Sequence, residues 1–171
     1  SADVDAVATG IVRGAFEYQG QKCSAASRLY IPVSLWPSVK SIVIKMLKEI
    51  KMGDVEDFTN FINAVIDKSA FDTIKDYIEK AKKSKDAKII YGGKSDCSKG
   101  YFIEPTIIET INPHFITMEE EIFGPVLTVY VYKDNLFEKT LHVCDQTSKY
   151  ALTGSIFSQK REPIVLASKI L

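Results

Sequence analysis

Apolar residues recur every three to four positions in three long stretches of this chain, and at shorter spacing in several brief ones. Over residues 3–16, Val4, Val7, Ile11 and Ala15 share one face, the period of a helix lying on a core, with Ser1 or Asp3 available as its cap. Pro37 opens a second helix, whose Val39, Val43, Met46, Leu47 and Ile50 line one side and whose end lies before Gly53. A third, "DKSAFDTIKDYIEKAKK", has Asp67 as cap and an apolar stripe of Phe71, Ile74, Ile78 and Ala81. Its lysines form a solvated face. The short stretches over residues 28–33, "AKIIYGG", "YFIEPTII" and "TGSIFS" read as strands. Pro105 marks an edge or an interruption in its strand. Residues 125–132, "PVLTVYVY", are apolar or aromatic at nearly every step, which suits a strand covered on both faces. A short helix over 136–144 and another from Pro163 complete the pattern.

Strands alternating with helices predict an α/β fold with a largely parallel sheet and helices on both sides. The helix-rich first third leaves the strand order open. The 171 residues suffice for one compact domain, and 46% hydrophobic with 26% charged residues is an ordinary globular composition. Equal numbers of acidic and basic residues, 22 of each, argue against a nucleic-acid-binding protein, which needs a basic surplus. No apolar run reaches the length of a membrane span, so no membrane partner is expected. The start, "SADVDAVATG", lacks the basic and apolar regions of a secretory signal. The chain stops inside an amphipathic pattern, at "VLASKIL", and is expected to be a piece of a longer protein. Cys23, Cys97 and Cys144 make an odd, sparse set, which predicts a reducing compartment rather than a disulfide framework. They lack metal-ligand spacing and the two histidines, His114 and His142, are isolated, so no metal site is expected.

Two stretches carry candidate chemistry. "FEYQGQKCSAAS" sets Cys23 between Gly-Gln-Lys and a run of small residues. Such a thiol is either a small buried hydrophobe or a nucleophile cleared for close approach. With an ordinary pKa of ~8.5, it needs help to ionise near neutral pH. If "CSAAS" opens a helical turn after Gly20, the peptide dipoles supply that help, and the Cys23 N–H is free to stabilise an oxyanion. Lys22 is discounted as a charge partner, because neighbours in an extended stretch point apart. On these grounds alone, the reactive and inert readings stand level. The second stretch, "MEEEIFGPVL", puts Glu119, Glu120 and Glu121 beside Phe123, Gly124 and Pro125. It is either an acidic loop entering a buried strand, or a carboxylate for a ribose diol beside an aromatic edge for a nicotinamide.

Together the stretches resemble the aldehyde dehydrogenase superfamily. Its nucleophile motif, an aromatic residue followed by Gly-Gln-x-Cys, is matched by Phe16 and by Gly20 to Cys23. Its Glu-Glu-Ile-Phe-Gly-Pro motif is matched in full by Glu120 to Pro125, in the family's order and at about its separation. The wording around both motifs, with "YFIEPTII" and "GSIFSQ", is most similar to the branch acting on delta-1-pyrroline-5-carboxylate. The resemblance implies an aldehyde-dehydrogenase-like catalytic domain, present here in part over residues 1–171, with NAD as cofactor and glutamate gamma-semialdehyde as substrate. It implies Cys23 as nucleophile, Glu121 on the nicotinamide ribose, Phe123 beside the nicotinamide and Ser24 on the substrate carboxylate. A serine after the nucleophile is also a plain helix cap. The dinucleotide-binding domain, the general-base glutamate and the oligomerisation segment of such enzymes lie outside these residues. The piece alone is therefore expected to be inactive, the parent a homo-oligomer, and the compartment the mitochondrial matrix if the source is eukaryotic. Two other classes compete: a binding module that keeps only the fold, and a cysteine hydrolase using His114 or His142 as base.

Overall fold

The computed structural model describes residues 1–171. Helix α1 (Val4–Phe16) starts where the Asp3 carboxylate accepts the Ala6 N–H at 2.8 Å. That bond satisfies one of the donors a helix start leaves open. α1 buries Val7, Ala8, Ile11, Val12, Ala15 and Phe16. Helix α2 (Trp36–Glu49), with Pro37 in its first turn, lies beside it and buries Trp36, Val39, Val43 and Leu47. Helix α3 (Lys68–Lys83) is capped by Asp67 and buries the predicted stripe of Phe71, Ile74, Ile78 and Ala81.

Four strands form the central sheet. β1 (Arg28–Pro32), β2 (Ala87–Tyr91), β5 (Thr106–Thr110) and β6 (Val126–Tyr132) stand in the order β1-β6-β5-β2. β1, β6 and β5 are parallel, and β2 closes one edge antiparallel to β5. Side chains alternate across the sheet. Ile107, Leu127 and Val129 meet α1 and α2 on one face, while Ile108 and Val126 meet α3 on the other, with Phe115, Met118 and Ile122. β6 is thus covered on both sides, which is why its sequence is nearly continuously apolar. The buried Thr128 hydroxyl of β6 donates to Thr117 at 2.7 Å in the short helix α4 (Ile116–Glu119). A two-stranded ribbon, β3 (Ser95–Asp96) with β4 (Phe102–Ile103), lies apart from the sheet. Helices α5 (Phe137–Gln146) and α6 (Arg161–Ile170) pack on each other.

Two expectations need adjustment. "YFIEPTII" divides at Glu104 and Pro105 into β4 and β5, because proline brings no N–H to a ladder. "TGSIFS" is not a strand. It pairs with no other strand and runs over the start of α1, where Gln159 N–H donates to Ser1 C=O at 2.6 Å. The Phe157 ring fills the space above Gly10, where a Cβ would sit 2.7 Å from it. Alternating apolar residues express a half-buried surface, and here the surface they fit is a helix.

Leu127 lies at the middle of the core and is 1% exposed, whereas Ile111 is 79% exposed just past β5. Leu127→Ala is expected to lower unfolding free energy by about 2–5 kcal/mol, and Ile111→Ala by less than about 0.5 kcal/mol. Urea titrations followed by circular dichroism check the pair, and equal losses would refute this placement of the core.

Candidate active site

The cysteine turn is built from a reversal of the chain after α1. Tyr18 (φ 55°), Gln19 (φ 58°) and Gly20 (φ 66°) all take the left-handed conformation. For the two non-glycine residues this costs roughly 1–2 kcal/mol each. Gly20 cannot be replaced without movement, since a Cβ there would lie 2.3 Å from Gly124 O and 2.8 Å from Ala15 O. Cys23 and Ser24 then occupy the centre of a tight turn closed by Ala25 N–H to Lys22 C=O at 3.1 Å. The turn leads into β1 by way of Ala26, whose N–H donates to Gly14 C=O at 2.9 Å and whose methyl rests on Gly14. Close packing on α1 limits side-chain size at Ala26, whereas Cys23 and Ser24 are exposed.

One expectation fails at this point. No helix begins at Cys23; the next regular element is β1. The turn is closed by a single bond and released at once into a strand, so no helix dipole faces the thiol, and Ser24 caps no helix. The Cys23 N–H does engage no acceptor in the chain, and the cysteine is free and exposed. Lys22 turns away, its ammonium 2.6 Å from the Glu17 carboxylate, which Arg13 also holds at 2.8 Å. These contacts, that of Lys22 first, keep the Glu17 carboxyl below the usual carboxylate range.

The acidic loop is sorted by alternation. Ile122 is buried among α3 and α4, and Gly124 lies under Ile74, where a Cβ would sit 2.5 Å from that side chain. Glu121 and Phe123, between and beside them, are left outside, with Phe123 46% exposed and in the left-handed conformation at φ 55°. Of the glutamates, Glu119 is taken by His114 at 3.0 Å, while Glu121 makes no hydrogen bond or ion pair.

Strand pairing brings the two loops to one edge. β1 and β6 are adjacent and parallel, and Thr128 N–H donates to Ser27 C=O at 3.0 Å just after the cysteine turn. The Gly20–Gly124 contact joins the loops directly. Cys23, Ser24, Glu121 and Phe123 therefore stand at the N-terminal edge of these strands. Neither histidine hydrogen-bonds Cys23: His114 is held by Glu119 and Asn112, and His142 is exposed on α5. A hydrolase dyad has no geometric support.

The sequence profile described as the aldehyde dehydrogenase family matches residues 1–170. The chain belongs to that family. This aldehyde dehydrogenase chain is 59% identical over its whole length to the mitochondrial delta-1-pyrroline-5-carboxylate dehydrogenase of Dictyostelium discoideum, and 51% identical to that of Homo sapiens. It spans 31% of the length of each. Among solved structures, the delta-pyrroline-5-carboxylate dehydrogenase of Mycobacterium tuberculosis bound with NAD superposes with a TM-score of 0.91 at 39% identity, covering 99% of this chain and 30% of that one. The 1-pyrroline-5-carboxylate dehydrogenase from Thermus with bound NAD gives 0.89 at 36% identity, covering 99% and 32%.

The fold of this aldehyde dehydrogenase chain also holds residues that sequence reading passed over. Gln19 and Gln21 anchor the reversal to residues 64–66, with Gln19 Nε2 donating to Ala64 C=O at 3.3 Å and Gln21 Oε1 accepting from Ile66 N–H at 2.9 Å. The repeated glutamine in "YQGQ" was the available signal, but its partners lie 45 residues away in sequence.

Lys22→Met is expected to move the Glu17 carboxyl titration upward, and by more than Arg13→Met, in carboxyl-detected NMR. A larger effect from Arg13→Met would contradict the ordering. Because the folded-state value is depressed, the contribution of these pairs to stability is present above the unfolded carboxylate range and fades as pH falls through the folded value.

Proposed function

We propose that residues 1–171 form the nucleophile-bearing part of the catalytic domain of a delta-1-pyrroline-5-carboxylate dehydrogenase, oxidising glutamate gamma-semialdehyde to glutamate in proline breakdown. The observation that carries this reading is the shared edge. An exposed cysteine with a free N–H lies on a turn in contact with a loop that presents an uncommitted carboxylate and a half-exposed aromatic ring. The relatives named for this activity, two of them crystallised with NAD, support it at 36% to 59% identity.

In this reading the Cys23 thiolate attacks the aldehyde carbon, and its own N–H donates to the oxyanion of the resulting thiohemiacetal. NAD, when bound, would supply the hydride acceptor; Glu121 would accept from its ribose hydroxyls, and the Phe123 ring would flank its nicotinamide. Both fit that group because Glu121 has no competing partner and the buried Ile122 fixes the two residues outward. Ser24, exposed next to the nucleophile, donates to the substrate carboxylate. Loss of a hydride from the thiohemiacetal carbon to that acceptor would leave a Cys23 thioester, which water cleaves, releasing the acid and restoring the thiol. The dinucleotide-binding domain, the deacylating base and the oligomer contacts belong to the remaining length of the enzyme. A mitochondrial matrix location is proposed from the eukaryotic relatives, which are named mitochondrial.

The test replaces the matching segment of the Dictyostelium enzyme with this chain and follows NADH absorbance with glutamate semialdehyde. Turnover is expected in the chimera, and neither in its Cys23→Ala variant nor in the isolated 171 residues. Glu121→Gln should raise KM for NAD about ten-fold or more, the loss of a charge-assisted contact. A folded chimera without activity, or one whose activity survives Cys23→Ala, would overturn the assignment.

A further inference from the structure

Two carboxamides two residues apart reach the same short stretch, residues 64–66. Gln19 Nε2 donates to Ala64 C=O at 3.3 Å, and Gln21 Oε1 accepts from Ile66 N–H at 2.9 Å. Between these points Val65 is buried, and its N–H donates to Tyr101 C=O at 2.9 Å. The glutamines thus address alternate residues of the stretch, while Tyr101 holds it at the residue between. The arrangement is poor for stability alone. Gln19 is only 5% exposed, and its Oε1 has no partner. An unpaired interior acceptor and a left-handed non-glycine backbone are both unfavourable, and such strain collects at functional sites. What the pair does achieve is a fixed seat for the turn that begins at Lys22.

We infer that Gln19 and Gln21 are positioning residues, which lock the Cys23 turn to residues 64–66 and thereby set the reactivity of the thiol. The inference rests on Cys23 being the nucleophile. A reacting carbon must be met at about 3–3.5 Å with correct alignment, and a turn closed by one hydrogen bond does not hold that alignment by itself. Gln21 is bonded directly to Ile66 two residues before the thiol, and Gln19 supports the reversal beneath it.

The experiment uses the 171-residue chain with Cys97→Ser and Cys144→Ala, so that Cys23 is the only thiol. Its alkylation rate by iodoacetamide is compared with that of a peptide spanning residues 16–27, and Ile66 amide exchange is read by NMR. The folded chain is expected to differ from the peptide by at least five-fold. In Gln21→Ala the Ile66 amide exchanges about ten-fold faster, as one lost hydrogen bond predicts, and alkylation moves to within two-fold of the peptide. Gln21→Glu keeps an acceptor of the same reach and restores both readings. Gln19→Leu keeps the bulk, drops the donor and shifts alkylation in the same direction, giving a reading independent of the Gln21 variants. A folded chain that already reacts like the peptide would overturn the inference. So would a Gln21→Ala rate equal to the parent's, or a failure of Gln21→Glu to restore it. No aldehyde or NAD enters this measurement, so its failure is distinct from failure of the dehydrogenase reading.

Discussion

The site depends on one backbone contact, the approach of Gly20 to the carbonyl of Gly124. A Cβ at Gly20 would lie 2.3 Å from that oxygen. The distance leaves room for hydrogen and nothing larger. It forces the left-handed reversal after α1 to sit directly on the loop entering β6, and so brings a cysteine turn and an acidic loop together across about a hundred residues of sequence. The same reversal is held by Ala15 O on its other side. The parallel pairing of β1 with β6 sets their common edge, and the glycine contact sets their spacing.

Burial then decides which side chains face outward. Ile122 and Gly124 are taken up by the core beneath α3, so Glu121 and Phe123 remain available. Glu119 is occupied by His114, and Lys22 by Glu17. Lys22 and Glu119 are thereby engaged, while Glu120 and Glu121 keep exposed carboxylates without a hydrogen-bond or ion-pair partner. This is a division of labour among adjacent residues that a count of glutamates does not reveal. A site at the N-terminal edge also departs from the usual habit of open α/β sheets, whose ligands gather at the carboxyl ends of strands.

Much of this was legible in the sequence. The stripes of α1, α2 and α3 and the doubly covered β6 followed from period alone, because each buries its apolar face against a single sheet. The motif residues were legible as well, through their resemblance to a family. The helix after Cys23 was misread because small residues suit a helix start and a close crossing equally; Gly14 and Ala26 show that the crossing governs. The strand at "TGSIFS" was misread because alternation records a half-buried surface without naming what covers it. The glutamine anchors left only the repeated glutamine of "YQGQ" as a mark, since a side-chain amide gives no periodic signal and its partners lie 45 residues along the chain.

The central claim, that the cysteine turn and the acidic loop share one edge of the sheet, is most directly tested with a nitroxide label on Cys23 in the Cys97→Ser, Cys144→Ala background. Amide signals of Glu121 to Gly124 are predicted to broaden strongly, while those of Ile111 and Asn112, at the far end of β5, stay sharp. Broadening at Ile111 and Asn112 with sharp signals at Glu121 to Gly124 would contradict the account.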